Sequence, residues 1–127
     1  MEWHFDDNMP IYTQLVYQIK FAIVSGELSP GERMAGVRDL AADAGVNPNT
    51  MQRALQQLER EGLVFTQRSS GRFITEDTAV IGEAKRTLAR QHIEQFMASM
   101  QKLGYTREEI IALLESGEEE DKNGSML

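Results

Sequence analysis

Asn49, Gln52, Arg53, Gln56 and Arg60 follow one another at close to helical-turn spacing, and each ends in an amide or a guanidinium group. At roughly 100° per residue the five fall on one face of a helix. Amides and guanidiniums carry paired donors and acceptors, the geometry that matches base edges in the major groove of a duplex. The competing reading is an ordinary amphipathic helix whose polar face meets only water. Opposite that face, Met51, Ala54, Leu55 and Leu58 recur at i, i+3, i+4 and i+7, an apolar stripe made for a core. Asn47 is a strong N-cap type, Pro48 suits a first helical position, and Gly62 suits a C′ stop. A helix is therefore expected between Asn47 and Gly62.

The elements around it decide what that face meets. Pro10 opens a helix expected over Ile11–Ser25, with Ile11, Leu15, Ile19, Ala22 and Ile23 on one side and Gly26 as the stop. Glu27 to Gly31 reads as a turn into a short extended segment, Glu32-Arg33-Met34. A second helix is expected over Gly36–Ala44, with Val37, Leu40, Ala41 and Ala44 inward and Arg38 near its start. Gly45-Val46-Asn47 then joins it to the first-described helix, the helix-turn-helix arrangement in which the second helix enters a groove. After Gly62 the period turns extended: Leu63–Gln67 as a strand, Arg68–Gly71 as a hairpin turn, Arg72–Thr75 as the return strand. Arg68 and Arg72 near the tip suit a hairpin laid along a phosphate backbone or reaching into a minor groove. Their plainer reading is cross-strand charge kept for solubility.

From Thr78 the helical period returns and is expected to last to Leu103. Ile81, Leu88, Phe96, Met100 and Leu103 form its stripe, with Ala84, Ile93 and Met97 beside them. Thr106 and Glu109 make a capping box for a last helix over Arg107–Leu114, carrying Ile110, Ile111 and Leu114. Two helices this apolar cannot cover their stripes against each other alone. A second copy is the expected cover, with Ile81, Leu88, Phe96, Met100, Leu103, Ile110 and Leu114 as the pairing residues and two-fold symmetry as the result. The alternative is a ligand pocket lined by the same Met and Phe side chains, although methionine routinely fills irregular packing. Ser116 to Leu127 is acidic and glycine-bearing, and is expected to be disordered. At the other end Trp3 and Phe5 are expected to pin an arm, residues 1–9, to the body.

Bulk properties remove several function classes. At 127 residues with 41% hydrophobic content the chain suits one small domain with an appendage. It has no cysteine, which excludes disulfides, thiolate metal sites and thiol catalysis. His4 and His92 lack partners at ligand spacing, so no metal is expected. No nucleophile is paired with a base and no carboxylates gather at catalytic spacing, so neither an enzyme nor a cofactor is expected. There is no membrane-length apolar run and no signal-peptide pattern at the N-terminus, from which a cytoplasmic chain is expected. The net charge of −7 is unevenly placed: residues 33–75 hold six arginines against four acids. Since charges act over about 8–10 Å at physiological salt, that local excess outweighs the total for a phosphate partner.

Pro10, Tyr12 and Gln14 are followed by Gly26-x-Leu28-x-Pro30-Gly31 and Arg38-x-Leu40-Ala41, then by Thr50, Leu58, Glu61-Gly62-Leu63 and Gly71-x-Phe73. With these residues the chain resembles, over 10–75, the winged helix-turn-helix domain of GntR-type transcriptional regulators. The resemblance implies an α+β fold, mainly α: a winged helix-turn-helix over 10–77 and a helical dimerisation hairpin over 78–115. It also implies DNA contacts from Arg38, Asn49, Thr50, Arg53, Gly71 and Arg72, which the outward positions of Gln52 and Arg68 extend. Two places depart from the usual pattern. Asn47-Pro48 stands where Ser-Arg is common, and Ser69-Ser70-Gly71-Arg72 where most wings have Gly-basic-Gly-Thr; both look like the short YtrA-type subgroup. The implied function is a dimeric, sequence-specific repressor on a palindromic operator of double-stranded DNA. Short relatives often control transporter operons, and the length leaves no room for a separate effector domain. The rival from another class is a winged-helix protein–protein adaptor that never touches DNA, which the acidic total charge favours.

Overall fold

A computed structural model describes the backbone of residues 1–124 and the side chains of residues 1–117. In chain order the elements are α1 (Ile11–Val24), α2 (Val37–Ala44), α3 (Pro48–Arg60), β1 (Val64–Gln67), β2 (Gly71–Ile74), α4 (Thr78–Lys102) and α5 (Arg107–Gly124). They fall into two units, Met1–Leu88 and the chain from Ala89 onward. None of the described helices is long and apolar enough to cross a membrane.

The first unit is built around α3. Its start is fixed locally, because the Asn47 side chain accepts the Asn49 N–H at 2.8 Å and so satisfies one of the N–H groups a helix start leaves unpaired. At its end Gly62 adopts φ +78°, and the Gly62 and Leu63 amides reach back to the Glu59 and Leu58 carbonyls, each at 3.0 Å. This 6→1 and 5→2 pattern reverses the chain and drives Leu63 into the core. Met51, Ala54, Leu55 and Leu58 are all fully buried, against Leu15, Ile19 and Ile23 of α1, Ala41 of α2, and Leu63, Val64 and Ile74 of the hairpin. The expected stripe is the core.

The hairpin is antiparallel in the register Val64↔Ile74, Phe65↔Phe73, Thr66↔Arg72 and Gln67↔Gly71. β2 begins at Gly71, one residue before the expected start, because Gly71 pairs with Gln67 instead of completing the turn. The segment after Pro30 is extended, as expected, and lies along β2: Met34 N–H donates to the Arg72 carbonyl and Ile74 N–H to the Glu32 carbonyl, both at 2.9 Å. Arg33 stands opposite Phe73 in that pairing.

The N-terminal arm is stitched down. Trp3 stacks on Phe5 at 6.1 Å and donates its indole N–H to Asp43 of α2 at 2.8 Å. Gln14, buried in α1, accepts the Asp6 amide and donates to the Asp6 and Met9 carbonyls, so its burial leaves no polar atom unpaired.

The C-terminal part differs from the expected outline in the length of α5. In the capping box Glu109 N–H donates to the Thr106 hydroxyl and Thr106 N–H to the Glu109 carboxylate, and the backbone N–H and side chain of Thr106 hold the Glu109 carboxyl below its ordinary range. Beyond Leu114, however, α5 continues to Gly124 where a disordered tail was expected from Ser116; glutamate and lysine are good helix formers and no proline intervenes. Residues 125–127, the rest of that tail, lie outside the described residues. The stripe assigned to pairing also divides. Ile81 packs against the core of the first unit, Leu88 is only 5% exposed and Ile110 1%. Ile81 is half-buried there, while Leu88 and Ile110 are covered within the single chain. Helical period shows that a side is apolar, not what covers it.

Candidate nucleic-acid interface

The polar side of α3 faces outward. Asn49, Arg53, Gln56 and Arg60 are exposed, and Thr50 and Gln52 are half-buried at its edges. The core stripe on the opposite side holds the helix by its back, so this face is presented by the fold. Its two guanidiniums are also held individually. Arg53 lies over the Tyr12 ring of α1, 4.8 Å from the centroid, a cation–π contact worth about 0.5–1 kcal/mol at an exposed site. Arg60 donates through Nε and Nη2 to the Gln57 side-chain oxygen, at 3.1 and 2.6 Å. Tyr12 and Gln57 were not among the sequence candidates. The only available signal was their spacing: Tyr12 on the first turn of α1, Gln57 one turn before Arg60.

Arg38 is exposed on the first turn of α2. The α2–α3 turn closes through Val46 N–H to the Ala41 carbonyl at 2.9 Å. Arg38 therefore comes from the helix that precedes α3 in the pair, the element that crosses a phosphate backbone when the second helix enters the groove.

The hairpin tip carries exposed Arg68, with Ser69 at φ +69° and Gly71 at φ +104°. Arg72 stands elsewhere. It is half-buried, and its Nε donates to Glu59 of α3 at 2.7 Å, while the Thr66 hydroxyl donates to the same oxygen at 2.6 Å. The hairpin is thus tied to α3 through one carboxylate. Arg33, which the sequence left as part of an extended segment, reaches the tip instead, its Nε donating to the Ser70 carbonyl at 2.9 Å.

Partial burial pushes the Glu59 carboxyl up, but the Thr66 hydroxyl and the Arg72 guanidinium outweigh it and hold the group below its ordinary range. A carboxyl depressed in the folded state stabilises that state above its unfolded pKa, about 4.3, and loses the effect as pH falls through the folded value. Thermal melts between neutral and strongly acid pH should therefore fall more steeply for the natural chain than for Glu59→Gln below about pH 4. Parallel curves would remove Glu59 as the tie.

Comparisons with known proteins follow the same outline. Residues 11–74 match the family model described as bacterial regulatory proteins, gntR family. The HTH-type transcriptional regulator YhcF of Bacillus subtilis (strain 168) is 40% identical over 111 residues, which span 87% of this chain and 92% of that protein. The HTH-type transcriptional repressor YtrA of the same organism is 32% identical over 122 residues, 90% of this chain and 94% of the relative. A GntR family transcriptional regulator from Listeria monocytogenes superposes with a TM-score of 0.81 at 40% identity, covering 88% of this chain and 98% of that one.

Proposed function

From the premise that this chain belongs to the GntR family of bacterial regulatory proteins, and is thus a transcriptional regulator with a DNA-binding helix-turn-helix, we propose that it is a sequence-specific repressor acting as a homodimer. The observation that carries the reading is the outward amide-and-guanidinium face of α3 beside an arginine-bearing hairpin. Asn49, Gln52 and Arg53 read base edges in the major groove, Thr50 and Arg38 hold adjacent phosphates, and Arg68 carries the wing tip along the backbone. Arg72 serves from behind, through Glu59, by setting where the wing stands relative to α3.

A second copy is the proposed cover for the second unit. Phe96, Leu103, Ile111 and Leu114 remain exposed in the single chain, and Met100 is half-buried beside them. Large apolar side chains left exposed on both helices support an interaction surface there. Two reading heads joined there would address half-sites about one helical turn apart, roughly 34 Å, on a palindromic operator. Occupying such a site near a promoter blocks polymerase, and the repressor name of the similar YtrA supports that output. Transporter genes are the proposed targets on the strength of the YtrA-type resemblance alone, and the cytoplasm the proposed location. No effector is assigned.

Arg53→Ala should weaken specific binding by about 1–3 kcal/mol and relax selectivity at one base position per half-site. Fluorescence titration on duplexes differing at single positions measures both; unchanged affinity and selectivity would take Arg53 out of the interface. A salt series on the natural chain separates this function from a protein adaptor. A DNA reader loses affinity linearly in log salt as counterions return to the phosphates, whereas an adaptor gives no salt-dependent specific complex.

A further inference from the structure

Besides Arg68 in its turn, two arginines stand at the wing, Arg72 within it and Arg33 beside it, and their surroundings differ. Arg72 is compensated: its Nε is 2.7 Å from a Glu59 carboxylate oxygen, and its side chain is largely covered. Arg33 is exposed, and among the described residues it forms no ion pair. Its Nε hydrogen bond goes to a neutral carbonyl, that of Ser70. Of the five N–H donors of a guanidinium, the four on the two Nη nitrogens have no protein partner among the described residues.

Gly71 explains how the side chain is held. A Cβ built there would lie 3.3 Å from Arg33 Nε, 3.5 Å from Nη2 and 3.8 Å from Cζ. The guanidinium therefore rests against the bare backbone of Gly71, which a larger residue would disturb, quite apart from the positive φ at that position. At its other end Arg33 is fixed by the pairing of its own backbone segment with β2. The result is a cation anchored at root and tip, uncompensated, with its Nη donors open to solvent.

We infer that Arg33, outside the helix-turn-helix and the hairpin itself, is a phosphate-contacting residue of the wing, seated on Gly71 and aimed by the Ser70 carbonyl. The charge role that the sequence pattern suggests for Arg72 falls to Arg33, because Arg72 already faces a carboxylate. A side chain ordered before binding loses less freedom on contact, and two Nη groups match the forked geometry of a phosphate. The inference rests on the DNA-binding reading above.

The test measures binding of the natural chain, Arg33→Gln and Arg33→Lys to duplex DNA that the natural chain recovers from a random library, across a salt series. Removing one phosphate contact should lower the slope of log affinity against log salt by about 0.9, and this is expected for Arg33→Gln. Arg33→Lys keeps the charge and should keep the slope, with weaker binding because the fork and the Nε anchor are gone. Matching circular dichroism melts establish that both variants are folded. A weakened Arg33→Gln with the natural slope would make Arg33 a structural clasp only and overturn the inference while leaving DNA binding intact. A natural chain that recovers no duplex would remove the DNA-binding reading and this inference with it.

Discussion

Leu55→Ala should destabilise the first unit by about 2–5 kcal/mol, the range for deleting most of a buried leucine side chain. Leu55 is completely buried in the cluster that joins α3 to α1, α2 and the hairpin, so the cavity it leaves has little room to collapse. The loss should also reach DNA binding, since the helix that bears Asn49 and Arg53 is seated by this buried stripe. Gln56→Ala, one residue along and exposed, should change stability by no more than about 0.5 kcal/mol. Urea midpoints for the two variants give the comparison directly. A Leu55→Ala protein as stable as Gln56→Ala would mean that α3 is not seated by its apolar stripe.

The second large effect is expected at the opposite end of the chain. Leu103 is 73% exposed, so Leu103→Asp should leave the fold of a single chain intact. If copies pair through this surface, a buried unpaired carboxylate would abolish pairing. The second reading head would then bind as an independent molecule, and loss of that linkage should weaken binding to a two-half-site operator by about a hundredfold. Affinity for a single half-site should stay near that of the natural chain. Sedimentation velocity reads the first outcome and titrations on the two duplexes read the second. A variant that still sediments like the natural chain would take Leu103 out of the pairing surface.

How much of this was legible in the sequence depends on whether a feature is local. α3 could be read almost to the residue, because its N-cap, its first-turn proline, its apolar stripe and its terminal glycine all lie within sixteen positions. The hairpin could be read for the same reason: a change from helical to extended period brackets a glycine-bearing turn. What escaped was set by residues distant in the chain. The pairing of Glu32–Met34 with β2 needs hydrogen bonds across some forty residues of sequence, and only that pairing carries Arg33 to the wing tip. The tie of Arg72 to Glu59 escaped as well, because its partner lies on another element. Leu88 and Ile110 could not be told from Phe96, Leu103 and Leu114 by period, since all five obey it; burial separates them. The length of α5 was missed because acidic, glycine-bearing composition was weighed as disorder where helix propensity was also high.

The claim on which the rest depends is that the outward side of α3, flanked by the wing, recognises a particular duplex sequence. Selection of bound duplexes from a random library, run in parallel with the natural chain and with Asn49→Ala, tests it most directly. The natural chain should enrich one motif arranged as two inverted half-sites about a helical turn apart, and Asn49→Ala should lose preference at a defined base position within each. Recovery of sequences no different from the starting library, or the same motif at full strength from both proteins, would contradict the account.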